Sequence, residues 1–83
     1  NFEDGETIRE SELSSYAKQA RMGAGLTQAE AGEILNVDQA RISHAENPGS
    51  SRNETDLRLR MIEEFTEFSV RSIEREFELS RGD

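Results

Sequence analysis

The stretch 26–47 constrains this chain more than any other part of it. Thr27-Gln28-Ala29-Glu30 has the form of a capping box, in which the Thr27 hydroxyl takes an N–H three residues on and Glu30 reaches back to Thr27. Ala31, Ile34 and Leu35 follow at the spacing of one helix face. Asn36, a residue that tolerates positive φ, breaks the helix, and Asp38 starts the next one, whose inward residues are Ile42 and Ala45. The pattern predicts two short helices joined by a three-residue turn, with a small residue, Gly32, where they cross. A chain needs that geometry to lay one helix in the major groove of DNA.

The flanking segments also carry helical spacing. Leu13, Tyr16, Ala17 and Ala20 make one stripe, in a helix that starts at the Thr7-Glu10 capping box or at Ser11 and stops at Gly23 and Gly25. Asn47-Pro48-Gly49-Ser50-Ser51 is a loop. From Thr55 to Ser80 there is neither glycine nor proline. Leu57, Met61, Phe65 and Phe68 fall within about 80° of one another on a helix, and Leu59, Ile62, Val70, Ile73 and Phe77 gather roughly opposite.

A helix apolar on two faces must be covered twice. Either it breaks near Ser69 and folds back, or it runs on and meets a second subunit; the missing breaker favours the second. No alternating run suggests a strand. The expected fold is therefore all-α, a compact domain of four to five helices. It comprises an acidic N-terminal tail (1–10), a helix-turn-helix domain (11–68) and a helical extension (69–83). Leu59, Ile62, Val70, Ile73 and Phe77 are the expected dimer contacts.

Composition narrows the function classes. A chain of 83 residues makes one small domain that buries only about 60% of its unfolded surface, so self-association is the expected supplement. Without cysteine and with one histidine, neither a disulfide nor a metal site is expected, and no cofactor. No nucleophile–base pair or phosphate-binding glycine loop is present, so an enzyme is not expected. No apolar run approaches the ~20 residues of a membrane span, and a cytoplasmic protein is the expectation. The chain begins with Asn1 rather than methionine, so residues before it are also expected.

The net charge of −8 runs against binding a polyanion, but it is unevenly spread. Residues 1–17 carry five acids against Arg9, and residues 52–83 carry nine against six arginines. Residues 18–51 are nearly balanced, with four acids against Lys18, Arg21 and Arg41.

Arg21-Met22-Gly23-Ala24-Gly25-Leu26-Thr27-Gln28-Ala29-Glu30-Ala31-Gly32, followed by Val37, Ile42-Ser43 and Glu46-Asn47, resembles the XRE-type helix-turn-helix of phage repressors and bacterial antitoxins. The likeness covers about residues 13–65. It implies that Gln28 bonds a backbone phosphate, that Asn47 approaches another, and that Gln39, Ala40, Ser43 and His44 face base edges. It also implies a structural pair between Arg21 and Glu46. The family commonly has alanine at the position of Gly32 and glycine at that of Asn36, and its Glu-Asn-Gly ending is Glu-Asn-Pro-Gly here.

The residues support a compatible reading without the family. Gln39 suits adenine bidentately, Ala40 a thymine methyl, and His44 a guanine acceptor, while Ser43 is permissive. Thr27, Arg41 and Arg52 are placed for phosphate. The expected function is a sequence-specific transcriptional regulator that binds a palindromic double-stranded operator as a homodimer, with recognition helices about 34 Å apart. The alternative is an acidic protein-binding module on the same scaffold that sequesters a toxin or transcription factor. Acids on the exposed face of the second motif helix would favour that alternative, and Gln39, Ala40, Arg41, Ser43 and His44 are neutral or basic.

Overall fold

The structure, a computed structural model, describes residues 2–50 and 53–82. In chain order it runs β1 (Thr7–Arg9), a 3-10 turn (Glu10–Glu12), α1 (Leu13–Gly23), α2 (Gln28–Leu35), α3 (Gln39–Ala45), α4 (Thr55–Phe65), β2 (Phe68–Ile73) and β3 (Glu76–Arg81). The fold is thus not all-α: four helices are joined by a three-stranded antiparallel sheet of order β1-β3-β2.

The helical half follows its local signals. Gly25 adopts φ +75 after α1, and the Leu26 N–H returns to the Arg21 carbonyl at 3.2 Å, closing a Schellman-type end. The Thr27 hydroxyl accepts from the Glu30 N–H at 3.1 Å, and the Glu30 carboxylate accepts from the Thr27 N–H at 2.8 Å, completing the capping box. Asn36 lies at φ 60, ψ 45, which lets the Val37 N–H close on the Gly32 carbonyl at 2.9 Å. The Asp38 carboxylate then caps α3 through the Arg41 N–H at 2.9 Å. Ile34, expected inward, is 52% exposed. Ala31 and Leu35, one turn apart, supply the buried stripe of this two-turn helix.

Gly32 is a close approach between segments. A Cβ there would lie 2.6 Å from the Val37 carbonyl oxygen, a backbone atom that cannot swing aside. Gly32→Ala is therefore expected to destabilise the domain by about 1–3 kcal/mol through overpacking, read from urea unfolding. An unchanged midpoint would show that the turn relaxes freely.

Two apolar clusters sit on either side of a central α1/α4 layer. Ala17, Ala31, Leu35, Ile42, Ala45, Leu57 and Met61 join α1 and α4 to α2 and α3. Ile8, Leu13, Ala20, Ile62, Phe68 and Leu79 join them to the sheet. The expected long C-terminal helix does not form. It stops at Phe65, where the Thr66 backbone is extended and its hydroxyl bonds the Ile62 carbonyl, and the chain returns as a hairpin.

Period two then governs. Phe68, Val70, Phe77 and Leu79 face the helices, whereas Arg71, Ile73, Glu76 and Glu78 alternate outward, in the register Val70↔Leu79, Arg71↔Glu78 and Ile73↔Glu76. Of the expected dimer contacts, Ile62 is fully buried in this chain's own core. Leu59, Val70 and Phe77 pack against the same cluster, and Ile73 is 40% exposed.

The N-terminal segment is not a solvated tail. Ile8 is buried beneath β3, opposite Phe77, and no helix starts at Thr7. The Glu6 carboxylate accepts from the Tyr16 hydroxyl, and this bond, with burial adding to it, pushes the phenol pKa up to about 12. Asp4 accepts from the Arg81 N–H at 2.9 Å, and Glu10 from the Thr55 hydroxyl at 2.8 Å. Phe2 stacks on Phe68 and meets Tyr16 edge-on. Asp4, Glu6 and Glu10, three of the four acids in residues 1–10, are thus structural ties.

Candidate nucleic-acid interface

α3 lies on the side of the α1/α4 layer opposite the sheet. Its inner face is held by Ile42 and Ala45, both fully buried, which turns Gln39, Ala40 and Ser43 to solvent. These three of the four expected base-reading residues share one exposed face. The fourth, His44, is half-buried, and its Nδ1 lies 3.3 Å from the Ser50 hydroxyl. That contact orients the ring against the following loop.

The structural pair forms between Arg21 and Glu46. Arg21 Nε donates to Glu46 Oε2 at 2.5 Å and Nη2 to Oε1 at 3.0 Å, while Nη1 holds the Leu26 carbonyl at 2.8 Å. The bond to Glu46 raises the Arg21 pKa above its ordinary value, against the opposing effect of burial. Glu46 also accepts from Gln28 Nε2 at 3.1 Å. One carboxylate therefore fastens the end of α1, the start of α2 and the end of α3.

This arrangement alters the expected phosphate set. Gln28 is directed onto Glu46, so its amide divides between an internal acceptor and any external one. Arg41 donates to the buried Glu54 at 3.0 Å, which raises its pKa, yet its side chain is 40% exposed and a guanidinium has five N–H donors. Thr27 is exposed, and its oxygen is engaged as the cap of α2. Asn47 is exposed and spends its side-chain oxygen on the Gly49 N–H at 2.9 Å. Arg52 lies outside the described residues.

Two arginines of α4 were not singled out from the sequence, although they set the position of the motif. Arg58, only 9% exposed, donates from Nε to the Ala45 carbonyl at 2.7 Å and from Nη2 toward the carbonyls of His44 and Asn47. Arg60 donates to the Leu35 carbonyl at 2.8 Å. A positive group therefore closes the negative C-terminal end of both motif helices, satisfying carbonyls that have no partner within the helix. A signal was available: Arg58 stands inside the apolar arc of Leu57, Met61 and Ile62, where a charge requires buried acceptors.

Charge is partitioned by layer. The N-terminal segment and sheet, residues 2–12 and 66–82, hold nine acids and four arginines. Among the described residues no cluster of histidine and carboxylate side chains could hold a metal, and no helix is long and apolar enough to cross a membrane. Comparison with protein-family models, with curated proteins and with solved structures finds no match to this chain.

Proposed function

We propose that this protein is a sequence-specific DNA-binding regulator that reads base edges with α3 and acts as a homodimer. The observation that carries the reading is the exposed, acid-free face of Gln39, Ala40 and Ser43 on a helix fixed at both ends. The resemblance of the Arg21–Asn47 stretch to the XRE-type helix-turn-helix points the same way. Gln39 pairs with adenine and Ala40 with a thymine methyl, so the half-site contains an A·T-rich step under these residues. Acids on the far layer repel non-specific DNA, which leaves binding to the few contacts at α3.

The test is selection of bound sequences from random DNA at two salt concentrations. A palindromic consensus is the expected result. Gln39→Ala with Ser43→Ala should lower affinity for that consensus at least a hundredfold, since each base contact is worth about 1–3 kcal/mol, with helicity unchanged. Undiminished binding by the double variant would remove α3 from the recognition role. Failure to enrich any sequence would favour the protein-binding alternative instead. Its specific support is that Arg21 and Arg41 are both engaged by acids of their own chain.

A further inference from the structure

With the expected helical dimer seam replaced by a hairpin, self-association needs another surface, and the outer edge of β2 is exposed. β2 ends the sheet, and its ladder alternates. Leu79 directs its N–H away from β2, to the Glu6 carbonyl, while Gly82 donates to the Glu67 carbonyl at 2.7 Å. Residues 67, 69, 71 and 73 therefore bond β3, and Phe68, Val70 and Ser72 direct their N–H groups outward.

Two of these three donors are already answered within the chain. The Phe68 N–H meets the Thr66 hydroxyl at 3.1 Å and the Val70 N–H meets the Glu63 carboxylate at 2.9 Å. Ser72 faces the helical layer by alternation yet is exposed, so the hairpin projects past the helices and its N–H opens to solvent.

We propose that the β2 edge is the homodimer interface, pairing antiparallel with β2 of a second copy about a two-fold axis at Ser72. Only outward-facing residues can exchange backbone bonds, which limits the register. Pairing Val70 with Ser72 would displace Glu63 and set Arg71 against Arg71. Pairing Ser72 with Ser72 uses the open donor twice and sets Arg71 against Ile73. The aliphatic stem of Arg71 then covers an apolar side chain that is 40% exposed in one chain. Beyond Ile73 the chain turns at Glu74, so the paired stretch is confined to residues 71–73 of each copy. The proposal rests on the dimeric part of the function above and not on its DNA part, and the test uses free protein.

Sedimentation equilibrium should show a concentration-dependent monomer–dimer equilibrium for the unaltered chain. Ser72→Pro removes an N–H that the β3 ladder does not use, and an edge strand tolerates proline at such a position. It should weaken the dimer tenfold or more, because both axial hydrogen bonds are lost. In the unaltered protein, hydrogen exchange at the Ser72 amide should slow as concentration rises, a readout independent of how the variant folds. A monomer at every concentration would overturn the proposal together with the dimeric reading. Dimers that persist in Ser72→Pro, or a Ser72 amide that exchanges at one rate throughout, would overturn this interface while leaving a dimer elsewhere.

Discussion

Arg21→Ala is expected to destabilise the domain by about 3–5 kcal/mol, because it leaves a carboxylate buried without its cation. The side chains of Arg21 and Glu46 are 11% and 4% exposed, so neither can turn to water without opening the packing around it. After the substitution Glu46 retains only the Gln28 amide, and the Leu26 carbonyl at the end of α1 loses its donor. A small domain has about 5–15 kcal/mol in total, so the variant should unfold at a much lower urea midpoint. Replacing both partners, with Arg21→Met and Glu46→Met, should cost less than the single change, since no lone charge is then buried. Equal stability of Arg21→Ala and the unaltered chain would show that Glu46 finds water or another partner in solution.

Leu79→Ala tests the other half of the molecule, with an expected loss of about 2–5 kcal/mol from the cavity it opens. Leu79 is fully buried at the centre of β3, opposite Val70 and packed with Ile8, Leu13, Ile62 and Phe68. On a continuous helix running to the C-terminus the same residue would lie in a fraying end, where truncation changes little. The unfolding free energy therefore separates the two architectures. A loss below about 0.5 kcal/mol, the range of surface substitutions, would argue against the sheet.

The helical half was legible because each of its boundaries is written in short-range chemistry. Thr27 and Glu30, Asp38, Gly25 and Asn36 act on backbone groups within five residues, and such signals are independent of the rest of the fold. The Arg21–Glu46 pair spans twenty-five residues and was accessible only through the resemblance. Arg41–Glu54, Arg58–Ala45 and Arg60–Leu35 join α4 to the motif at separations that no local pattern encodes.

The hairpin was hidden for two physical reasons. Its turn contains no glycine, proline or asparagine; Glu74 itself adopts φ 53, a left-handed conformation that costs a non-glycine residue about 1–2 kcal/mol. Its alternation is also short. Phe68, Val70, Phe77 and Leu79 face inward, but Ser72 occupies the inner face and Ile73 the outer one, which breaks the period. In the same way, the acids of residues 1–10 read as a solvated tail, because nothing local announces that Ile8 pairs beside Phe77 or that Glu6 holds Tyr16.

The sequence by itself determined the capped helices, the three-residue turn, the close approach at Gly32 and an α4 that is apolar on two sides. It also required that the second side be covered. Only the tertiary structure decided what covers it. The β2–β3 hairpin and Ile8 supply apolar surface from the same chain, and an intramolecular cover avoids the loss of translational freedom that a second subunit would incur. That choice left α3 facing solvent on one side and an open strand edge on the other.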